Sequence, residues 1–363
     1  MNPAASEGAT LTPVELHAAA TVVDGSTVIE LSDEHLDRIR RGGVTAVNHT
    51  VTTPYADTVS ALHEINACRR WIEEHSDRVL LARCVDDIAR AKAEGREAVV
   101  FGPQDTEMIG VDLDLLGTFH DLGVRILQLT YQRQNLLGAG CGETVDPGLT
   151  HQGRAFVREM NELGILVDVS HCGERTGLDA MDASGKPVVV THSFCDVLSP
   201  HIRAKSDDFL RRLAAQRGVI GVTTLSAFLY HPDEPGRRPD LARFVDHISH
   251  IAEVAGVDHV AIATDYDETL TEAMRAEQMK VKEFKNLLGD WPWDQRRAEG
   301  MDDASQFPNF TTALLDGGFS PEEVTKILGG NWLRVFGEAW KTVPSSTTPT
   351  PTKETSDETS NPL

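Results

Sequence analysis

The sequence predicts an α/β fold in which eight parallel strands close into a (β/α)8, or TIM, barrel. Short runs of β-branched and aliphatic residues, typical of strands buried on both faces, alternate along the chain with amphipathic segments typical of helices. Eight such alternations imply a parallel sheet, for which the closed barrel is the natural arrangement. The chain has 363 residues, enough for such a barrel, which needs about 250.

The predicted strands are short and apolar, and each is followed by a helical segment or a loop. They comprise residues 21–23, 44–49, 97–102, 124–129, 165–170, 187–191, 219–224 and 259–264. A ninth apolar run, residues 78–82, has no place in this count, so we expect an accessory strand there. One helix is well delimited, because Ser32 is a typical N-cap residue and Gly42 a typical stop.

One large domain is expected, with an unstructured segment at either end. The barrel is predicted over residues 12–342, with disorder over 1–11 and over 343–363, the latter being rich in Ser, Thr and Pro. Two long segments, 132–150 and 265–307, follow the fourth and eighth strands. Because they leave the carboxyl ends of strands, we expect them to form lids or substrate walls on the active-site face.

The composition favours a soluble acidic protein. Acidic residues outnumber basic ones by 56 to 34, for a formal net charge of −22, which argues against binding to nucleic acid or anionic membranes. No run approaches the roughly 18 apolar residues of a membrane span, and the N-terminus lacks a signal-peptide pattern. The five cysteines are scattered without a CxxC pair, as expected of reduced thiols. We therefore expect a cytoplasmic protein with a small-molecule partner; formation of a homo-oligomer stays open.

Two successive predicted strands each end in a histidine, His171 in GILVDVSHCGERT and His192 in KPVVVTHSFCD. The carboxyl ends of the strands form the active-site face of a (β/α)8 barrel, so polar residues there indicate chemistry. A single histidine at such a position is most simply a residue that caps a loop. Two of them on adjacent strands favour a shared metal or catalytic site.

Five motifs follow one another in a specific order: GLTHQGRAFVREMNELGILVDVSHCGERT, PVVVTHS, SPHIRAKSDDFLRRLAAQRGVIGV, HVAIATDYD and NFTTALLDGGFSPEEVTKILGGNWLRVF. This order resembles that of the membrane (renal) dipeptidase family of zinc peptidases, and the resemblance extends over most of residues 12–341. It implies a (β/α)8 barrel related to the amidohydrolases. It also implies dipeptide hydrolysis at a two-zinc site, with a metal-bridging hydroxide as the nucleophile.

The resemblance assigns roles to four residues of this chain. His171 and His192 match the two histidines that bind the second zinc ion. Asp265, in IATDYD, matches the aspartate that handles the proton during hydrolysis. Arg203, in SPHIRAK, matches the arginine that binds the substrate carboxylate, a task that suits its planar, two-point fork.

Four other positions depart from the family's pattern. The family's first strand ends in Asp-Gly-His-x-Asp, whose histidine and second aspartate bind the first zinc ion; here Ser26 and Val28 stand there. Gln104 replaces the bridging glutamate, and Tyr131 replaces a histidine that contacts the substrate. An amide is a much poorer zinc ligand than a carboxylate. This set of replacements is similar to that of a divergent bacterial branch of the family.

The remaining residues predict a reduced metal site. His171, His192 and Asp265 would supply the three protein ligands of an ordinary catalytic zinc site, with one divalent ion per chain or none. His49, at the end of the second strand, is a further candidate ligand that would free Asp265 for proton transfer; it is equally well a polar residue at the barrel mouth without a metal.

The predicted catalytic residues are Asp265, Tyr131 and Gln104, and the predicted substrate-binding residues are Arg203 and Tyr131. Tyr131 would donate a hydrogen bond to a developing oxyanion, and Gln104 would hydrogen-bond a substrate carbonyl or a water molecule. The sequence therefore favours a metal-dependent hydrolase that cleaves an amide bond of a dipeptide or a peptide-like carboxylate. Two alternatives stay open: a lyase, decarboxylation or isomerisation reaction in the same barrel, and a barrel that only binds a small acid or a partner protein.

Overall fold

The structure, a computed structural model, describes residues 11–28, 30–268, 271–280, 285 and 287–340. The segments predicted to be disordered, 1–11 and 343–363, lie outside these ranges except for Leu11, and so do the last two residues of the predicted barrel domain. No described helix is both long enough and apolar enough to cross a membrane.

The strands are β1 (Val23–Thr27), β2 (Ala46–His49), β3 (Val79–Leu81), β4 (Glu97–Phe101), β5 (Ile126–Gln128), β6 (Leu166–Asp168), β7 (Val188–Ser193), β8 (Val219–Val222) and β9 (Val260–Ile262). The α-helices are α1 (Pro13–Ala19), α2 (Asp33–Arg41), α3 (Thr58–Glu74), α4 (Val85–Glu94), α5 (Asp114–Leu122), α6 (His151–Leu163), α7 (Glu174–Ala183), α8 (Asp207–Ala215), α9 (Leu241–Ala255), α10 (Glu272–Gln278), α11 (Pro308–Asp316), α12 (Pro321–Thr325) and α13 (Asn331–Ala339). Short 3-10 turns occupy Val257–His259, Trp293–Gln295 and Ala304–Gln306, and a π turn occupies Lys326–Gly330.

The strands form two parallel sheets whose edges meet. Their orders are β1-β2-β4-β3 and β5-β6-β7-β8-β9. Two isolated parallel bridges link the sheets: Phe101 pairs with Val124, and Thr27 pairs with Tyr266. Among the described residues the two sheets share no longer ladder of hydrogen bonds. The ring of strands is therefore β1, β2, β4 and then β5 to β9, which confirms the predicted (β/α)8 architecture.

The apolar run at 78–82 forms the accessory strand that the sequence predicts. β3 pairs with only the first half of β4, Val79 to Leu81 against Glu97 to Val99. Beyond that point the Arg125 amide donates to the Phe101 carbonyl, so β5 takes over as the neighbour of β4. Because β3 shares its place with β5, it does not add a ninth member to the ring.

The first strand differs from its predicted position. It covers Val23–Thr27 rather than residues 21–23, and thus runs through the polar sequence Asp-Gly-Ser-Thr. The strand can continue through these residues because the Asp24 carboxylate accepts hydrogen bonds from the amide and hydroxyl of Thr264, just after β9. The helix after Ser32 agrees with its prediction, with Ser32 as the N-cap and Gly42 as the C-cap.

Helix α13 closes the barrel at the amino ends of the strands. Its apolar residues cluster with the inward-facing residue near the start of most strands, namely Val23, Ala46, Ala98, Ile126, Leu166, Val189, Val219 and Ala261. The Trp332 indole is fully buried and donates to the Ile262 carbonyl at 3.0 Å. It lies against Gly25 and Gly221, where an added Cβ would meet its ring. These two strand positions therefore require glycine to admit the indole.

Trp332→Ala should lower the free energy of unfolding by about 3–5 kcal/mol, because it leaves a cavity inside the barrel. Trp332→Phe retains an aromatic ring and should cost clearly less. Urea denaturation followed by circular dichroism measures both variants. A loss below about 1 kcal/mol for the alanine variant would contradict this role, since such a loss is typical of any substitution.

Candidate active site

A cavity of about 520 Å³ opens at the carboxyl ends of the strands. Five of the residues predicted from the sequence line it: Gln104, Tyr131, His171, Arg203 and Asp265. Both long segments contribute walls, as predicted, with Arg133 from the first and Leu287, Leu288, Trp291 and Arg296 among those from the second. The barrel thus brings residues from five separate strand ends to one chamber.

His171 and His192 face each other at the ends of β6 and β7. Their Nε2 atoms lie 2.9 Å apart, and both side chains are buried. Burial lowers the pKa of each imidazole well below its ordinary value, and the nearby Arg203 guanidinium lowers the pKa of each further. The two rings are therefore neutral at physiological pH. Tyr131 stacks on the cavity side of His171, with ring centroids 4.2 Å apart.

The carboxylate of Asp168 holds the two strand ends together. It accepts hydrogen bonds from the amide and hydroxyl of Ser170, two residues further along the chain, and from the amide and hydroxyl of Thr191 on β7. Burial raises the pKa of Asp168, and these four donors oppose that rise by stabilising the carboxylate. Since Ser170 and Thr191 immediately precede His171 and His192, this one side chain fixes the spacing of the histidine pair.

The same network determines which nitrogen of His192 carries the proton. The Thr191 hydroxyl donates to Asp168 at 2.6 Å, so it can only accept from Nδ1 of His192, which lies 2.9 Å away. Nδ1 is therefore protonated, and Nε2 presents a lone pair toward His171. Such an arrangement, in which the second ring nitrogen is fixed by a hydrogen bond, is typical of histidines that bind metal.

Arg203 lies beneath the cavity and contacts the backbone at both histidines. Its two terminal nitrogens donate to the Ser170 carbonyl and, at 3.0 Å, to the His192 carbonyl. The side chain is buried, its Nε has no hydrogen-bond partner, and no carboxylate of the described part of the chain lies within 4.0 Å of it. An arginine buried without a counter-ion retains the capacity to bind an anionic group.

Asp265 follows β9 in a strained conformation. Its φ is +55°, in the left-handed region that few non-glycine residues adopt, and its amide donates to the Ser26 carbonyl. The Ser26 hydroxyl lies 3.5 Å from its carboxylate. Burial raises the pKa of Asp265 to about 6, with Arg203 acting in the opposite direction. A carboxyl with a pKa near neutrality can exchange protons in this range.

The two other replaced positions also face the cavity. The Gln104 amide donates to the Thr50 hydroxyl at 3.0 Å, which orients the side chain. Tyr131 is held between the His171 ring and the edge of the Tyr55 ring. Burial raises the pKa of the Tyr131 hydroxyl, so it stays protonated and able to donate a hydrogen bond.

His49 does not belong to this chamber, contrary to the suggestion that it could bind the metal. In β2, Ala46 and Asn48 face the barrel interior, and alternation along the strand directs His49 toward α2 instead. Burial, together with the smaller effect of the nearby His35, lowers the pKa of His49 to about 3. The register of β2 therefore directs the neutral imidazole of His49 away from the barrel interior.

The donor set does not fit a centre of two metal ions. No group of three or more His, Cys, Asp or Glu side chains within the described ranges is arranged to hold a metal. His171, His192 and Asp265 do not form such a group, and the Asp265 carboxylate lies 3.5 Å from the Ser26 hydroxyl, so their joint assignment as metal ligands stays a prediction. The two neutral imidazoles, whose Nε2 atoms converge, would supply two of the three protein ligands of an ordinary catalytic zinc site.

Sequence reasoning missed the buried residues that support the site. Asp168 was not singled out, and neither was Lys205, whose buried ammonium donates to the Val169 and Cys172 carbonyls on either side of His171. The sequence does contain a pattern that marks the two supporting carboxylates, Asp24 and Asp168. Asp24, near the start of β1, and Asp168, at the end of β6, each stand in an Asp-x-Ser sequence, and each carboxylate accepts from a threonine, Thr264 just after β9 and Thr191 on β7.

Comparison with known proteins places this geometry in a family. The family model of membrane dipeptidases (peptidase family M19) matches residues 7–290 and 287–348. Dipeptidase tcpJ of Claviceps purpurea is 32% identical over 286 residues, which cover 78% of this chain and 61% of that protein. Dipeptidase verJ of Clonostachys rogersoniana is 28% identical, over 79% of this chain and 66% of that protein. The chain thus spans between 61% and 66% of the length of the curated relatives it matches.

Solved structures agree with this placement. An amidohydrolase from Pseudomonas aeruginosa superposes with a TM-score of 0.82 and 32% identity, over 91% of this chain and 99% of that one. A metallopeptidase from Rhodobacter sphaeroides, bound to a phosphinate mimic of L-Ala-D-Ala, shares the fold with a TM-score of 0.74 and 22% identity, over 88% and 99% of the two chains. The resemblance identified from the motifs is confirmed: the chain belongs to the membrane dipeptidase family of metallopeptidases, M19.

Proposed function

We propose that this protein is a metal-dependent hydrolase that cleaves the amide bond of a dipeptide or a similar small carboxylate. The observation that carries the proposal is the buried guanidinium of Arg203, without a carboxylate partner among the described residues, beside the converging His171 and His192. A substrate carboxylate would supply the missing counter-ion, and two parallel hydrogen bonds would orient the substrate. Its amide group would then lie near the histidine pair.

The surrounding residues supply the other requirements of hydrolysis. Asp265 would take a proton from the attacking water and pass it to the leaving nitrogen, for which a pKa near 6 is suitable. Tyr131 would donate to the oxygen that becomes negative as water attacks. Gln104, oriented by Thr50, would hydrogen-bond the substrate carbonyl or the water. Each of these side chains lines the same cavity.

We propose His171 and His192 as the protein ligands of one divalent ion, zinc by the chemistry of imidazole. When bound, the ion would act as a Lewis acid that lowers the pKa of a water molecule. We further propose that the protein acts in the cytoplasm on a small metabolite, in keeping with its acidic composition and scattered cysteines.

The metal content follows from this ligand set. The purified protein should hold at most about one zinc ion per chain, and His171→Ala and His192→Ala should each abolish binding, because one imidazole cannot retain the ion. Inductively coupled plasma spectrometry gives the stoichiometry. Two tightly held ions per chain would show that further ligands exist and would refute the proposal.

Thr191 should influence the metal without touching it. Thr191→Val removes the hydroxyl that fixes the proton on Nδ1 of His192, and we expect a loss of about 10–100-fold in zinc affinity. Thr191→Ser keeps the hydroxyl and serves as the matched control. Competition with a chromophoric chelator measures the affinity. Equal affinities for the two variants would mean that the hydroxyl does not orient the ring.

Arg203 should determine the preference for a free carboxylate. The native enzyme should hydrolyse a substrate with a free carboxylate faster than the methyl ester of the same compound. Arg203→Lys should weaken that preference, because an ammonium cannot reproduce the two-point fork of the guanidinium. The assay uses a panel of dipeptides and N-acyl amino acids with added zinc. Equal turnover of acid and ester would exclude this role. If no compound is cleaved, another reaction in the barrel or a pure binding function would become the better account.

A further inference from the structure

Positive charge dominates the cavity, although the protein as a whole is strongly acidic. Among the described residues that line it are four arginines, Arg133, Arg203, Arg275 and Arg296, against two carboxylates, Asp265 and Asp267. The chain as a whole has a net charge of −22. A cavity whose charge is opposite to that of the surrounding protein indicates selection of an anionic ligand.

Of these two carboxylates, Asp267 is already paired with arginines, whereas Asp265 has no ion pair among the described residues. A terminal nitrogen of Arg297 contacts Asp267 directly, and Nε of Arg296 lies 3.7 Å from the same carboxylate oxygen. Arg297 is itself buried, so this ion pair is shielded from water. Asp265 lies in the electrostatic field of Arg203 and beside the Ser26 hydroxyl. An ammonium entering the cavity would therefore meet four arginines, and the carboxylate left to offset it, Asp265, is the group that the proposed hydrolysis uses for proton transfer.

Much of the remaining wall that the described residues form is apolar. Leu225, Ala227 and Phe228 follow β8, and Leu287, Leu288 and Trp291 come from the long segment after β9. Val28 also lines the cavity, at the position where the family pattern has an acidic metal ligand. Such walls favour a group that is large and uncharged, because an unpaired charge buried against them would lose its hydration.

We propose that the substrate is an N-acyl amino acid with an apolar acyl group, rather than a dipeptide with a free α-ammonium. The carboxylate would pair with Arg203, and the acyl chain would lie against Leu225 and Phe228. This inference rests on the proposed hydrolase function and defines its substrate class. The cavity would exclude the α-ammonium by its charge and not by its size. It would therefore discriminate between an N-acyl amino acid and a dipeptide of almost the same size.

The reaction is a simple hydrolysis. The oxygen of water forms a bond to the acyl carbon, the bond between that carbon and the amide nitrogen breaks, and the nitrogen receives a proton. The products are an apolar carboxylic acid and a free amino acid. No oxidant, reductant or further co-substrate is needed to balance the step.

Two compounds that differ only in the ammonium provide the test. 3-Phenylpropanoyl-alanine is phenylalanyl-alanine with the α-ammonium replaced by hydrogen. The α-amino group of the dipeptide is largely protonated at about pH 7. With the zinc-loaded protein, kcat/KM should be at least about tenfold higher for the acyl compound. The difference should lie mainly in KM, since the ammonium opposes binding.

A carboxylate added to the apolar wall should weaken the preference for the acyl compound. Leu225→Asp places a negative charge where the acyl group is expected, and should lower the ratio of the two kcat/KM values by at least about tenfold. Leu225→Asn has nearly the same shape without the charge and is the matched control. Circular dichroism of both variants establishes that they are folded before the ratios are compared.

The outcomes separate the substrate class from the reaction. Equal cleavage of both compounds, or preference for the dipeptide, would overturn the proposed class while leaving hydrolysis intact. An aspartate variant that behaves like the asparagine variant would also overturn it. If neither compound is cleaved, the proposed hydrolysis fails, and calorimetric binding of the two compounds still decides the class: tighter binding of the dipeptide, or equal binding, would refute it.

Discussion

The site depends above all on the buried carboxylate of Asp168. It is the shared acceptor for the ends of two neighbouring strands, with hydrogen bonds from Ser170, just after β6, and from Thr191 on β7. Without it, the residues before His171 and His192 would each lose two hydrogen bonds, and buried donors left without a partner are costly. Asp24 makes the equivalent link between β1 and the residues after β9. Two carboxylates at opposite sides of the ring thus set the geometry of the chamber, one for the histidines and one for the segment that carries Asp265.

The chain's departures from the family pattern have physical consequences at these same places. Where the pattern has a histidine and an aspartate on the first strand, Ser26 faces Asp265 and Val28 forms part of the wall. Two metal ligands are thereby exchanged for a hydroxyl and an aliphatic group. The proposed metal site would keep its neutral imidazoles and lose its negative charge, while Arg203 remains. The balance of charge in the chamber therefore moves from one that holds cations toward one that holds anions.

Much of the barrel and of the candidate site could be predicted from the sequence, because most strands are continuous apolar runs and the candidate site residues follow the ends of those runs. His171, His192 and Asp265 were found in this way. Patterning failed where polar residues continue a strand: Asp24 to Thr27 belong to β1, because Asp24 is satisfied by Thr264, a residue 240 positions away. It also failed for His49, since a strand end does not reveal which face a side chain takes. Partners such as Asp168 and Lys205 act through contacts between strands, which a single sequence does not display.

An acidic protein can select an anion in a basic chamber because the surface charges lie far from the ligand and the chamber charges lie close to it. Charges on the surface are screened over about 8 Å at physiological ionic strength, so they repel an approaching anion only weakly. Within the chamber water is partly excluded, and the charge of Arg203, which is 1% exposed, acts at close range. Selection between a neutral and a charged acyl group therefore occurs inside the cavity rather than on approach. The Arg203 guanidinium is itself held to the carbonyls of Ser170 and His192. Arg203, which we propose as the anchor for the substrate, is therefore connected by hydrogen bonds to the same strand ends that Asp168 joins and that carry the histidine pair.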